Sequence, residues 1–559
     1  MKRLPTVLTL IVLTWITAAC GVQEKAEIIF VNGLIMTMDQ EQPEASALAI
    51  KDGRVLACGE RIEVLRFKGA ETTVFDLEGR TVIPGLHDAH VHFESGARSI
   101  REQLSLRFMN LEQIQNAIAE VVAASPAGAL IRAFHFNQAY FPGKEWPSCH
   151  DLDVVAPGNP VMITRVDGHS LWLNSKAMTL AGIDESSVAP PGGEIGRFPD
   201  GKPNGILKET ATRLAAGVKG PAMILPGISD KNHLEAGIEY ANRLGLTSVT
   251  SSGSLQLLEE LAVLRRAGKL NLRFNVWLPI ENLAEYKQAG IAYRQGDDWI
   301  RVSFLKIFAD GTIGSATAAM FSPFLSNPDS QGLLIHPQEE LERLIAEAHK
   351  ENWPVGVHAI GNRGVNLTLS AIEKAQALYP DRFPIHRIEH AQFVHDKDLA
   401  RFRQLGVIAS MQPTHCTTDL LVVEDRVGRE VACQGYRWRS LTDAGASIAF
   451  GTDWPVEPLD PRRGLYSAIE RKNIEENIPE QGWFPEEAIS LPEAILYYTL
   501  GPSQAAGNAD LTGSLTQGKA ADFTVFDGDL STAAARDKRS VLTIPVYLTV
   551  VDGRVVYSR

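Results

Sequence analysis

Two kinds of hydrophobic pattern alternate along this chain and divide it into regions. Near both ends, at 26–82 and again at 521–528 and 547–557, short apolar-rich runs are separated by Asn-Gly and Asp-Gly pairs. Such runs predict β-strands joined by tight hairpin turns. We expect the two chain ends to pair into one small β-sandwich, with the middle of the chain inserted between its halves.

The middle of the chain alternates apolar runs typical of buried strands with amphipathic helical patterns. Eight such runs occur, the first ending near His90 and the others at 247–253, 271–279, 300–311, 354–361, 386–392, 406–413 and 447–455. Eight strand and helix units predict an α/β fold of the (β/α)8 or TIM-barrel type. In that fold the active site lies at the carboxyl ends of the strands.

The segment from about 94 to 230 is far longer than an ordinary connection between a strand and the next helix. It contains strand-like runs of its own, such as P-V-M-I-T-R-V-D-G-H-S-L-W-L-N-S at 160–175. We therefore expect an inserted subdomain over the barrel mouth. The predicted organisation is a barrel domain at 83–507, with sandwich parts at 20–82 and 508–559.

The composition is that of a globular protein, with 45% hydrophobic and 22% charged residues in a chain of 559. A formal net charge of −13 and the lack of any basic run argue against a nucleic-acid partner. Four cysteines have neither metal-binding nor disulfide-framework spacing, so we expect them to be small core residues: Cys58, Cys149, Cys416 and Cys433.

The first residues have the pattern of an export signal. Lys2 and Arg3 precede an apolar run at 8–16 that is too short to span a bilayer. The sequence T-A-A-C at 17–20 then resembles the lipobox of bacterial lipoproteins, in which the cysteine carries the lipid. We expect residues 1–19 to be removed and Cys20 to anchor a periplasmic, outer-membrane lipoprotein. An ordinary secretory signal with an unused Cys20 is the alternative.

Side chains able to bind a metal fall near the carboxyl ends of several predicted barrel strands. The first run ends in H-V-H, and alternate residues of a strand share a face, so His90 and His92 can bind one ion together. Other strands add potential ligands at Lys306, His358, His390 and Asp453. A lone histidine on an apolar strand is usually structural, but this many ligand types along one rim predict a metal site.

Six motifs make the chain resemble the amidohydrolase superfamily: P-G-L-H-D-A-H-V-H, D-G-H-S-L-W-L-N-S, F-L-K-I-F-A-D-G, G-V-H-A-I-G-N, I-E-H-A-Q and G-T-D-W-P. Within that superfamily the resemblance is to the amidohydrolase-3 type related to N-substituted formamide deformylases. It covers nearly all of the chain that follows the predicted signal. The same fold and a metal-dependent hydrolase activity are therefore expected.

The resemblance also implies a binuclear metal centre. The histidine pair of the first strand binds one divalent ion, His358 and His390 bind the second, and a carboxylated Lys306 bridges them. Zinc is the expected metal, and Asp453 is the aspartate of the eighth strand. A site with a single metal ion stays open.

The chemistry of these residues agrees with that implication. An ammonium group cannot bind a cation, but a neutral Lys306 can react with carbon dioxide to give an anionic carbamate. Bound ions lower the pKa of a water, and Asp453 can pass the water's proton to a leaving amine. We therefore expect hydrolysis of an amide-like, non-peptide C–N bond in a small molecule.

Five further residues are candidates for substrate contacts: His169, Trp172, Asp310, Gln412 and His415. The resemblance implies that His169 faces the site, although a packed turn is the alternative. Trp172 can equally be a core aromatic residue, and Asp310 can cap a helix. Gln412 and His415 can hydrogen-bond the substrate or support the metal ligands.

Three other functions stay open. A lactone or phosphoester hydrolase would use the same metal site. A mononuclear deaminase is less favoured, because it needs a glutamate near the fifth strand and H-A-I-G-N-R-G has none. A non-catalytic lipoprotein that only binds a ligand is disfavoured, because all the expected ligands are present. We expect a small-molecule partner and membrane contact only through Cys20, with homodimerisation left open.

Overall fold

The computed structural model, which describes residues 24–102, 104–224 and 232–559, contains all the predicted barrel strands. In chain order they are Leu86–Val91, Leu246–Ser252, Arg273–Pro279, Ile300–Phe308, Val355–Ala359, Arg387–His390, Ile408–Met411 and Ser447–Phe450. Each strand pairs in parallel with its neighbour in that order. A parallel bridge between Val91 and Trp454 brings the first strand against the segment after the eighth. The predicted (β/α)8 barrel is confirmed.

Helices cover the outside of this barrel. The longer ones lie at Leu255–Arg266, Gln338–Lys350, Asn362–Leu378, Asp396–Leu405 and Pro461–Glu470, and shorter ones lie at Leu283–Gln288, Val423–Val427, Arg429–Ala432, Trp438–Asp443, Leu491–Tyr497 and Leu500–Ala505. Helix Pro413–Asp419 instead lies at the carboxyl-end rim, directly after the seventh strand. Helix Gln338–Lys350 shows why they pack there, because Leu341, Leu344, Ile345 and Ala348 form one buried stripe at helical spacing. The strands are buried from both sides, as apolar runs predict.

Strands from both chain ends form one hydrogen-bonded sheet. The first part contributes Ile28–Met36, Glu44–Lys51, Arg54–Gly59, Thr73–Asp76 and Thr81–Pro84, and the last part contributes Phe523–Phe526, Val546–Val551 and Arg554–Ser558. Thr81–Pro84 pairs antiparallel with Phe523–Phe526 and so joins the two parts. Because the first barrel strand begins two residues after Pro84, this sheet positions the start of the barrel.

The insertion after the first barrel strand has a sheet and core of its own. Its strands, in spatial order, are Gly193–Arg197, Pro203–Glu209, Ser170–Leu173, Val161–Arg165, Ile131–Phe136 and Leu104–Ser105. Helices at Leu111–Ala124, Cys149–Asp153 and Ser175–Ala181 flank or connect them, whereas Phe93–Glu102 and His233–Arg243, on either side of the insertion, pack against each other and the barrel. Apolar side chains such as Phe136, Ile163 and Trp172 fill the core of this subdomain.

The predicted export signal at 1–19 and Cys20 lie outside the described residues. Among the residues that are described, we find no helix whose length and apolar character would let it cross a bilayer. The four cysteines at 58, 149, 416 and 433 are unpaired. Cys149 and Cys416 are buried as expected, but Cys433 is exposed, so the expectation of a core position is wrong for that residue.

Candidate active site

The carboxyl ends of the barrel strands open into a cavity of about 410 Å³. All the predicted metal ligands line it: His90, His92, Lys306, His358, His390 and Asp453. The inserted subdomain contributes further lining residues, among them Phe134, Arg165 and His169. The long connection after the first strand thus forms part of the wall of a site whose potential ligands come from the barrel.

A buried carboxylate fixes the orientation of His90. Its Nδ1 donates a hydrogen bond of 2.6 Å to Glu389 Oε2, so the lone pair lies on Nε2. Burial acts against ionisation of Glu389, but the charge of Arg387 and the hydrogen bond from His90 hold its pKa below the usual range. Burial also lowers the pKa of His90 to about 4, so this imidazole is neutral at physiological pH.

Two more imidazoles are oriented by hydrogen-bond acceptors behind them. His390 Nδ1 lies 2.8 Å from Gln412 Oε1, and His358 Nε2 lies 3.1 Å from the Gly311 carbonyl oxygen. Each acceptor takes a ring N–H, which leaves Nε2 of His390 and Nδ1 of His358 as free lone pairs. The two ring centres are 4.5 Å apart. Burial lowers both pKa values well below 6.5, so both rings are in the neutral form that binds metals.

Asp453 meets these imidazoles from beyond the end of the eighth strand. Its Oδ1 lies 3.5 Å from His90 Nε2 and 3.2 Å from His92 Nε2. Ligand atoms of His90, His390 and Asp453 lie within 4.8 Å of one another. Burial alone would raise the pKa of Asp453, but the surrounding imidazoles hold it well below 3.8. A carboxylate oxygen facing an imidazole lone pair is repulsive unless a cation lies between them, so this donor set fits a divalent metal.

Lys306 lines the same cavity from the fourth strand. Its side chain is 2% exposed, and its Nζ lies 5.2 Å from the ring centre of Trp277 and 5.1 Å from that of Phe308. Burial lowers the pKa of Lys306 to about 8. A neutral amine is therefore accessible close to physiological pH.

The backbone is strained at two of the potential ligands. His390 has a φ of 72° and Asp453 a φ of 59°, in the left-handed region that residues with a β-carbon seldom adopt. Each such residue costs on the order of 1 kcal/mol or more and persists only where the surrounding structure enforces it. Both residues stand where a strand ends, and the turn directs their side chains into the cavity.

Two of the five candidates for substrate contact also line the cavity. His169 lies with its ring centre 6.0 Å from that of His358, and its Nδ1 lies 2.8 Å from Glu209 Oε2. Burial would lower the pKa of His169, but Glu209 raises it above 6.5. His415 Nε2 lies 3.9 Å from Asp453 Oδ2 and has no hydrogen-bond partner among the described residues. Both imidazoles are within reach of a bound substrate.

The other three candidates do not line the cavity, and their predicted substrate contact is corrected. Trp172 is fully buried in the core of the inserted subdomain, where its Nε1 donates to the Ser148 carbonyl oxygen. Asp310 is fully buried and accepts three backbone N–H bonds, from Ala319, Ile360 and Gly361. Gln412 does not line the cavity and affects the site through its hydrogen bond with His390 Nδ1.

Sequence reasoning missed the groups that hold the ligands in place. The clearest is Glu389, and a second is Asp88, whose carboxylate accepts bonds from the backbone N–H groups of His90 and Thr452. Both are charged residues inside apolar strands, I-E-H and L-H-D-A-H, where a charge is unfavourable without a partner. That cost is the signal that could have identified them.

Comparison with known proteins gives a consistent result. A model described as "Amidohydrolase family" matches residues 73–557. The chain is 30% identical to Protein LONG AFTER FAR-RED 3 of Arabidopsis thaliana, over 95% of this chain and 92% of that protein. It is 25% identical to an N-substituted formamide deformylase of Arthrobacter pascens, over 95% of this chain and 98% of that protein.

Solved structures show the same likeness. An uncharacterised metal-dependent hydrolase of Pyrococcus furiosus superposes with a TM-score of 0.66 at 28% sequence identity. The superposition covers 90% of this chain and 99% of that protein. The similarity therefore includes the barrel, the terminal sheet and the insertion together.

Proposed function

Because this chain belongs to the amidohydrolase family and is a metal-dependent hydrolase, we propose that it hydrolyses an amide-like, non-peptide C–N bond in a small molecule. The observation that supports this proposal is the convergence of ligand atoms of His90, His390 and Asp453 within 4.8 Å of one another in the cavity at the carboxyl ends of the barrel strands. The relative named as an N-substituted formamide deformylase supports an N-acyl substrate.

We propose that two zinc ions occupy this centre and that Lys306 is carboxylated. His90 and His92 would bind one ion, and His358 and His390 the other. The lowered pKa of Lys306, about 8, supports carboxylation because only the neutral amine adds to carbon dioxide. The resulting carbamate would remove the unfavourable buried ammonium and supply an anionic oxygen ligand.

The roles of the protein groups follow from their positions. Bound divalent ions would supply a water of lowered pKa and polarise the substrate carbonyl. Asp453 accepts the proton that the attacking water loses and delivers it to the nitrogen as the C–N bond breaks, so the products are a carboxylic acid and an amine. Because Glu209 raises the pKa of His169, protonated His169 can donate its Nε2–H to the carbonyl oxygen from the cavity wall, where His415 offers a second imidazole.

Metal analysis combined with a substrate screen tests this proposal. Purified protein should contain two equivalents of zinc and hydrolyse members of an N-formyl and N-acetyl amine panel. Lys306→Ala should lose both properties, whereas Lys374→Ala, at a surface lysine that is 58% exposed, should keep them. Incorporation of carbon-13 from labelled bicarbonate into wild type but not Lys306→Ala tests the carbamate. Turnover of lactones or phosphotriesters without amide turnover would overturn the proposal.

We also propose, from the amino-terminal sequence alone, that the protein is exported and anchored through a lipid on Cys20. The expected result is incorporation of labelled palmitate into the wild type and recovery of the protein in the outer-membrane fraction. Cys20→Ser should abolish labelling. Labelling that persists in this variant would contradict the proposal.

A further inference from the structure

The charged side chains on the cavity wall, away from the predicted metal ligands, are not all paired. Arg165 Nη1 lies 2.6 Å from Asp167 Oδ2, and Glu457 lies 3.5 Å from Arg107. Asp419 also lines the cavity, and no Lys, Arg or His nitrogen of the described residues lies within 4.0 Å of its carboxylate. The wall therefore carries one carboxylate that forms no ion pair within 4.0 Å among the described residues, while His415 and Arg165 on the same wall lie near enough to act against the rise in its pKa.

Two neutral donors hold that carboxylate in place. Tyr436 Oη donates to Asp419 Oδ2 over 2.6 Å, and Gln392 Nε2 donates to the same oxygen over 2.9 Å. The other oxygen, Oδ1, receives neither bond. Burial raises the pKa of Asp419, so a cation beside it would stabilise the ionised form. The side chain is thus oriented by its neighbours but keeps one oxygen for a ligand.

The helix that carries Asp419 sets its distance from the reaction centre. His415 and Asp419 lie four residues apart on helix Pro413–Asp419, so they share a face and are separated by roughly 6 Å along the axis. His415 is the residue that approaches Asp453. Asp419 therefore lies about one helical turn from His415 on the same face of the helix.

The cavity that Asp419 lines also has apolar side chains on its wall. Val166, Ile313 and Val422 line the same cavity, with Thr418 beside them. An apolar wall ending in an unpaired carboxylate fits a hydrocarbon spacer that ends in a protonated amino group. The charge excludes a carboxylate-ended substrate, because two buried like charges repel each other.

We propose that Asp419 binds a protonated amino group at the end of the substrate remote from the scissile bond. The substrate class is then an N-acylated diamine or a similar amide that carries a primary ammonium group. The differences in turnover expected from this inference rest on the proposed C–N hydrolase function. Binding of the ammonium group by Asp419 does not require turnover.

Three matched amides test it on the metal-loaded protein. N-acetyl-1,5-diaminopentane carries a cation, N-(5-hydroxypentyl)acetamide carries a neutral donor of similar length, and N-acetyl-5-aminopentanoate carries an anion. We expect the wild type to prefer the cation over the neutral amide by about tenfold or more in kcat/KM, the size typical of a hydrogen bond to a charged group. The anion should be the poorest substrate.

Asp419→Asn should reduce the preference for the cation over the neutral amide to less than about threefold. Its amide oxygen can still accept from Tyr436 and Gln392, and an unchanged thermal midpoint would establish that the variant folds. The matched control is Asp425→Asn, because the Asp425 side chain is 72% exposed and does not line the cavity. That control should keep the wild-type preference.

Calorimetry separates this inference from the proposed function. If no amide is hydrolysed, the proposed function fails, but tighter binding of the cation to wild type than to Asp419→Asn would still support the role of Asp419. Equal affinity of the wild type for the cationic and hydroxyl amides would overturn the inference. A cation preference that survives in Asp419→Asn would overturn it as well.

Discussion

The substitution Glu389→Gln tests whether a buried carboxylate orients the first predicted metal ligand. Glu389 is fully buried, and its Oε2 accepts bonds from His90 Nδ1 at 2.6 Å and from Arg387 Nη2 at 3.0 Å. Its Oε1 accepts a bond from Arg387 Nε. Glutamine has nearly the same shape but no charge, so the change removes the electrostatic interaction and little packing.

Two losses are expected from this change. Removing one partner of a buried ion pair costs about 3–5 kcal/mol. Arg387 keeps bonds to the Ala89 carbonyl oxygen and Ser410 Oγ at 2.8 and 2.6 Å, so we expect a loss near 3 kcal/mol. Loss of the group behind a ligating histidine typically lowers metal affinity or activity about 10- to 100-fold, which is about 1.4–2.7 kcal/mol.

Zinc retention in a chelator titration and the thermal midpoint of the metal-loaded protein measure both losses. Glu373→Gln is the matched control, because Glu373 pairs with Arg401 on the surface with 61% of its side chain exposed. Such surface pairs contribute about 0–1 kcal/mol. If Glu389→Gln held zinc as tightly as Glu373→Gln and unfolded at the same temperature, Glu389 would not be the group that orients His90.

Three further predictions concern the fold and the corrected assignments. Trp172→Phe should lower stability by about 1 kcal/mol through a lost hydrogen bond and leave KM unchanged; a raised KM would place the indole at the substrate after all. Gly451→Ala should unfold at a lower temperature and lose activity, because an added Cβ would lie 2.6 Å from the His90 backbone nitrogen, whereas Gly158→Ala meets nothing within 4 Å and should be neutral. Burial lowers the pKa of His386 from 6.5 to about 3, so between these values the unfolded chain binds a proton that the folded chain does not. Stability should therefore fall as the pH drops through this window, by about 1.4 kcal/mol per pH unit, and His386→Asn should show a shallower slope in acid unfolding.

The sequence alone was enough to predict the barrel strands and the set of potential metal ligands. Strand and helix patterns are local, so all the barrel strands were found where apolar runs alternate with amphipathic ones. The potential ligands could be predicted for a related reason. The carboxyl ends of parallel strands meet at one rim whatever the details of packing, so His90, His358, His390 and Asp453 were expected to converge.

Contacts between distant parts of the chain could be identified only from the tertiary structure. Glu389 and His90 are 299 positions apart and meet only because the first and sixth strands face each other across the barrel interior. Trp172 was predicted to contact the substrate but lies in a core, since an apolar pattern cannot distinguish a side chain in a core from one in a cavity. Local periodicity determines which residues are buried. Barrel closure and the packing of the insertion decide which of them face the site, because those depend on the whole chain at once.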